Sequence, residues 1–261
     1  GGKSPTARTV VITLGDMASE VRSASAFQDD VFSQRVREQW TEQLGRRLDI
    51  LIAGCGGNGA TLDVDQCDPR IVGVDEDLPP LRARTAARED LESWSLGDLR
   101  LVPIPPRSFD VVYVCFLLER VRNAELILDR LVDALRPGGL LLLRMRDRGS
   151  AYGFCDRMTP EWLRRMLWRR LCPPGSVGPL PAVYEPVTSR AGIQAYCLKR
   201  GLMIAEDYSA MSGPARRGPH AGLVGFVCRA VSALTNGRLN GAEDEIAMVI
   251  RRPQNHFARI I

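Results

Sequence analysis

Leu48-Asp49-Ile50-Leu51-Ile52-Ala53-Gly54-Cys55-Gly56-Gly57-Asn58-Gly59 changes character midway: an apolar run of six, broken only by Asp49, leads straight into a turn with four glycines. A short apolar run of this kind suits a parallel strand buried on both faces, and the glycines suit a tight turn at its end. In the pattern Gly54-x-Gly56-x-x-Gly59, the first glycine permits the bend and the second lets backbone approach a ligand. The third allows close helix–strand packing, so a helix is expected next. A second strand, Arg70-Ile71-Val72-Gly73-Val74-Asp75, then ends on an acid. Asp75 falls about 20 residues past the turn, where a carboxylate accepts hydrogen bonds from ribose hydroxyls. A cap for a helix starting near Leu78 asks for the same residue type.

The alternation extends in both directions. Upstream, apolar residues three to five apart predict a helix over 18–47, including Phe27, Val31, Val36 and Trp40. Downstream, a helix is predicted over 78–91, strands over 99–102 and 109–115, a helix over 124–135 and a strand over 140–145. Residues 151–190 break the rhythm. There Thr159-Pro160-Glu161 reads as a helix start, with Thr159 as cap, for a helix over 162–171. A loop with five prolines follows. A helix over 189–200 ending at Gly201, a strand over 202–205, a mobile loop over 209–220, a helix over 221–234 and a strand over 245–251 complete the chain. Strand and helix alternating at this spacing mean an α/β fold, a Rossmann-like, mostly parallel sheet with helices on both faces. The chain reads as one domain: an N-terminal helical segment (1–47), a nucleoside-binding half (48–150), a cap insertion (151–190) and the C-terminal part of the sheet (191–261).

Composition narrows the function classes. The 261 residues carry 35 basic and 31 acidic side chains, a net charge of +4 that is too small to argue for nucleic acid. All the basic residues except Lys3 and Lys199 are arginine. Seven scattered cysteines form no Cys-x-x-Cys pair, which argues against a disulfide framework or zinc ribbon and for a reducing compartment. No apolar run approaches the ~18 residues of a membrane span. Two histidines cannot build a multi-histidine metal site, and Asp63-x-Asp65-x-x-Asp68 lacks the glycine and glutamate of a calcium loop. The expectation is a cytoplasmic protein without a metal.

One further segment separates a nicotinamide enzyme from the alternative. Gly97-Asp98-Leu99-Arg100-Leu101-Val102-Pro103 through Ser108-Phe109-Asp110-Val111-Val112 resembles the class I S-adenosylmethionine-dependent methyltransferases, of the type 11/25 group. Phe116-Leu117-Leu118-Glu119-Arg120-Val121 is similar to their L-E-H-V turn, and Leu135-Arg136-Pro137-Gly138-Gly139-Leu140 to their L-x-P-G-G. The resemblance covers about residues 48–145. It implies a seven-stranded sheet with the last strand antiparallel, and S-adenosylmethionine as cofactor. It further implies that Gly54, Cys55, Gly56 and Gly59 form the cofactor turn and that Asp75, with Glu76 beside it, holds the ribose. Asp98 would take the adenine amino group while Leu99 packs on the ring, and Cys115 and Phe116 would lie beside the transferable methyl. Ile52 departs from the family, which has an acid there to help hold the methionine ammonium.

Methyl transfer from a sulfonium is an in-line displacement that depends on alignment, with a base added for a hydroxyl nucleophile. Position at the carboxyl ends of strands makes Glu119, Asp147 and Tyr152 the candidate catalytic residues; each also has a structural role open to it, in ion pairs or packing. His220 reads as a solvated loop residue. The helix over 162–171 reads as a docked cap with a basic face, or as a lid whose arginines meet an anionic group and whose Trp162 and Trp168 stack on substrate. The expected acceptor is a small molecule or glycoconjugate, methylated on oxygen or nitrogen. RNA or protein methylation is an alternative, and Ile52 motivates another, a cofactor-binding regulatory protein without turnover. Peripheral membrane contact is compatible with the sequence, and oligomeric state is not legible.

Overall fold

Burial on both faces decides the centre of the sheet. Every residue of Phe109–Cys115 is buried, as are the last four of Asp49–Ala53 and seven consecutive residues from Leu140 to Arg146. In the computed structural model, which describes residues 25–27, 30–43 and 45–254, these runs are neighbouring strands. The elements follow in the order β1 (Ser25–Ala26), α1 (Asp30–Glu42), β2 (Asp49–Ala53), β3 (Arg70–Asp75), α2 (Pro79–Ala86), β4 (Ser93–Leu96), β5 (Phe109–Cys115), α3 (Ala124–Asp133) and β6 (Leu135–Arg146), then α4 (Ala151–Met158), α5 (Glu161–Leu171), α6 (Arg190–Arg200), β7 (Met203–Ala210), α7 (Ala221–Leu234) and β8 (Glu245–Arg251).

The sheet order is β1-β7-β8-β6-β5-β2-β3-β4. Seven of these strands form the expected mostly parallel sheet, and β8 runs antiparallel to both β6 and β7. The two-residue β1 adds an eighth strand, parallel to β7 at the edge. Register puts Ile50 beside both Ile71 and Val111, and Val111 beside Leu140. One face packs Leu51, Val112, Leu141 and Met248 against Leu128 and Leu131 of α3 and Ile193 of α6. The other packs Ile50, Tyr113 and Leu142 against Phe32 and Val36 of α1. Cutting any of these central leucines to alanine costs about 2–5 kcal/mol.

Several expectations shift. The helix predicted over 18–47 is observed at Asp30–Glu42, the parts at 18–24, 28–29 and 44 lying outside the described residues. The helix expected after the glycine turn does not form. Residues 60–64 form neither helix nor strand, with Ala60 and Val64 buried, and only a 3-10 turn at Asp65–Cys67 follows. Thr61, Asp63, Val64 and Asp65 are all poor helix formers, and α1 covers this face instead. The third strand is Ser93–Leu96, not 99–102: Asp98 accepts a hydrogen bond from the Arg100 amide and turns the chain there, leaving Leu101 exposed. Thr159 closes α4, its hydroxyl donating to the Cys155 carbonyl, and Pro160 takes the cap position of α5. Residues 209–220 are anchored: Asp244 accepts from the amides of Ser212 and Gly213, and a 3-10 turn forms at Pro214–Arg216.

Candidate functional site

The carboxyl ends of β2, β3, β5 and β6 meet at the glycine turn, the place where an open α/β sheet binds ligands. Two of its glycines are required by packing. A Cβ on Gly54, whose φ is +87°, would lie 2.3 Å from the Cys115 carbonyl oxygen, and one on Gly56 would lie 2.7 Å from that of Leu81. Gly56 therefore seats the turn against α2. Arg88 ties the turn down by donating to the carbonyls of Cys55 (2.9 Å) and Ala60 (2.8 Å), with its guanidinium held by Asp90. Cys55 is buried beside Thr85, and burial pushes its thiol up to about 11. Gly59, at φ +74°, accepts a hydrogen bond from the Tyr113 hydroxyl at 2.9 Å.

Asp75 is fully buried. One of its oxygens accepts the Gly56 amide (2.9 Å), the other the Glu76 amide (2.8 Å) and the Arg120 guanidinium (2.6 Å). Arg120, itself buried, also binds Glu76 at 2.5 Å and donates to the Phe116 carbonyl at 3.0 Å. Burial raises the Glu76 carboxyl, and Arg120 opposes it. Arg120 thus stands between two hollows. The first, about 980 Å³, is bordered by Glu76, Asp77, Gly97, Asp98 and Leu99. Leu99 is buried, whereas Asp98 is held by Arg100, which keeps its carboxyl down at about 2.

The second hollow, about 510 Å³, is walled by Gly57–Gly59, Phe116, Glu119, Arg144, Arg146, Tyr152 and the cap. Phe116 has a left-handed backbone (φ +47°), which brings its ring beneath the guanidinium groups of Arg144 (5.0 Å) and Arg146 (4.9 Å). Cys115 is buried below it, its thiol donating to the Asn58 carbonyl at 3.5 Å and pushed up to about 11 by burial. Glu119 is buried with its Oε2 unpartnered, and desolvation raises its carboxyl to about 7 against the pull of Arg146. Its backbone carbonyl accepts the amides of Val183 and Tyr184, so the proline-rich loop is laced to this turn. Tyr184 in turn donates to Asp156 at 2.8 Å, and Asp156 pairs with Arg164 of α5 at 3.2 Å.

Of the three catalytic candidates, Glu119 and Tyr152 line this second hollow and Asp147 does not. Asp147 accepts the Gly149 amide at 2.7 Å and shapes the turn before α4. Tyr152 accepts the Ala215 amide at 3.2 Å, and burial raises its phenol. Ile52 is completely buried among apolar neighbours, so position 52 offers no group to a ligand. His220 is exposed at the start of α7. Sequence reading missed Arg120, Arg144 and Arg146. The signal was present for two of them: Arg144 interrupts and Arg146 ends the otherwise apolar, buried run from Leu140. There they pair with Glu245 (2.6 Å) and Asp244 (3.4 Å).

Comparison with known proteins agrees with this geometry. A family described as "Methyltransferase domain" matches residues 51–143, which hold the glycine turn, Asp75, Asp98 and Glu119. The chain is 32% identical over 137 residues to a trans-aconitate 2-methyltransferase of Azoarcus sp., covering 51% of each chain. It is 27% identical over 168 residues to a ubiquinone biosynthesis O-methyltransferase of Xanthomonas euvesicatoria, covering 62% of this chain and 65% of that one. These matches span between half and two thirds of either relative's length. The solved structure of the [4+2]-cyclase SpnF superimposes with a TM-score of 0.50 over 90% of this chain and 86% of its own, at 17% identity, a likeness of fold alone. Motif order, sheet topology and the match over residues 51–143 make that stretch similar to the methyltransferase domain of the class I S-adenosylmethionine-dependent enzymes.

Proposed function

We propose that the protein moves a methyl group from S-adenosylmethionine to a hydroxyl oxygen of a small molecule held in the cavity beside Phe116 and Glu119. The donor set suits the cofactor. The larger hollow has room for a nucleoside, and Asp98, Leu99 and Glu76 line it. Asp75 and Glu76 would hold the ribose, Asp98 and Leu99 the adenine, and the turn from Gly54 to Gly59 with Cys115 and Phe116 the methionyl part. For this the Arg120 guanidinium has to yield its place on the two carboxylates. When bound, the cofactor supplies an electrophilic methyl carried on a sulfonium.

Glu119 carries the reading. A buried carboxylate with one unpartnered oxygen, titrating near 7 in a walled cavity, is placed to take the proton from an acceptor hydroxyl as the oxygen–carbon bond forms. Arg146 beside it favours the ionised form. The relatives' names, one an O-methyltransferase and one a trans-aconitate methyltransferase, support a small oxygen acceptor. The test is transfer of labelled methyl from S-adenosylmethionine to a panel of small hydroxylated compounds. Turnover with one or more of them, reduced about a hundredfold by Glu119→Gln, is expected. Transfer confined to RNA or protein would overturn the proposal.

One observation favours a second reading, a cofactor-binding protein without turnover: Arg120 pairs with Asp75, the residue proposed to hold the ribose. Calorimetric titration separates the two. Absence of any binding of S-adenosylmethionine or its demethylated product sinks both, whereas binding without transfer to any acceptor leaves only the second.

A further inference from the structure

Helix α7 is apolar on the side turned away from the protein. Its sequence has a single charge, Arg229, and its exposed positions Leu223, Phe226, Val227 and Leu234 recur at helical spacing. Leu223 and Phe226 are 61% and 62% exposed and Leu234 is 85% exposed. The opposite side is held by the fold, with Cys228 buried and Gly241 packed on Ser232. A helix apolar on its solvent side, with its other side already packed, lacks a cover.

The charge around this face indicates what covers it. From Tyr208 to Ala242 the chain contains no acidic residue, while it contains Arg216, Arg217, Arg229 and Arg238. Arg216 is used internally, on Asp244. Arg217 and Arg229 are exposed, and so are Arg169 and Arg170 at the end of α5. That end abuts the entry to α7, since a Cβ on Gly218 would overlap the Leu171 carbonyl. None of these four exposed arginines has an ion-pair partner among the described residues. Between α4, α5 and α7 lies an apolar groove of about 230 Å³, with Leu167, Leu171, Leu223 and Val227 on its walls. It shares Tyr152, Asp156, Arg164 and Trp168 with the cavity that holds Glu119, and Asp156 is neutralised there by its pair with Arg164.

We infer that α7 lies on an anionic lipid surface, its outer apolar stripe entering the headgroup boundary and the surrounding arginines meeting lipid phosphates. An interfacial helix draws its affinity from buried apolar side chains together with attraction to anionic lipid, and this face supplies both. No described helix is long and apolar enough to cross a membrane, so the contact is peripheral. The inference is independent of the methyl-transfer reading, and binding is measured without cofactor or acceptor.

The experiment is co-sedimentation of the whole chain with vesicles of phosphatidylcholine alone and of phosphatidylcholine with a quarter phosphatidylglycerol. Binding to the anionic vesicles and not to the neutral ones is expected, falling as salt rises. Leu223→Ser with Phe226→Ser abolishes it, and Arg169→Glu with Arg170→Glu weakens it about tenfold or more, each with the thermal unfolding transition retained. Equal binding to both vesicle types, no binding to either, or binding unchanged by the serine pair overturns the inference. So does a wild-type dimer in solution that the serine pair splits, because the cover is then a second copy.

Discussion

Glu119 and Arg120 are adjacent and buried, and their energetics differ in sign. Burial raises the Glu119 carboxyl from its ordinary 4.5 to about 7, so the fold favours the protonated form. That contribution to stability is fully present below about pH 4.5 and is lost as pH rises through 7. Glu119→Gln removes the titration: relative to wild type, the variant gains thermal stability at pH 8 over pH 5, as melting curves at the two pH values would show. Its methyl-transfer rate also loses the limb that rises near pH 7, whereas a Glu119 of purely structural role would leave that limb in place. Arg120 is instead a buried cation shared by two carboxylates. Arg120→Gln leaves Asp75 buried without its charge partner, and a loss of about 3–5 kcal/mol in denaturant unfolding is expected. Calorimetry on the same variant should show tighter cofactor binding, since the ribose hydroxyls no longer displace a guanidinium. An unchanged affinity would mean that Arg120 does not compete for that place.

At the scale of elements, glycines with the same chemistry have opposite consequences. Gly56→Ala drives a methyl into the Leu81 backbone and Thr85, so α2 must shift; a loss of about 1–3 kcal/mol, with weakened cofactor binding, is expected. Gly222→Ala in α7 meets nothing within 4 Å. There the helix gains about 0.5–1 kcal/mol from lower unfolded-state entropy, measurable as a raised midpoint in urea. Strand positions were largely legible: 70–75, 109–115 and 245–251 are found where their apolar runs predict, because buried strands advertise themselves by composition. The edge strand Ser93–Leu96 was not, since it is half-exposed and carries two serines. The missing helix after the glycine turn was masked by a motif that presumes one.

Across the whole molecule, stability is uneven. The sheet holds the apolar core, whereas α5 has no buried residue and rests on the Asp156–Arg164 pair and its packing beside α7. Amide hydrogens of α5 should exchange much faster than those of α3, whose Ile127, Leu128 and Leu131 are buried. Cofactor and acceptor together should slow exchange in α5, since Arg164 and Trp168 wall the cavity. Exchange in α5 as slow as in α3 without ligand would mean that the cap is an integral part of the core.

The sequence by itself determined the fold class and the positions of most strands, because those depend on local composition and on spacings set by backbone geometry. It also brought Glu119 forward, from its place just past a buried strand. Only the tertiary structure decided that Asp75 is already engaged by Arg120 and that Arg144 and Arg146 floor the cavity. The same is true of Asp147 falling outside it, and of α7 turning its apolar side outward. Each of these depends on which side chains meet across elements distant in the chain. Pairing energies and desolvation act on that proximity, which no single segment encodes.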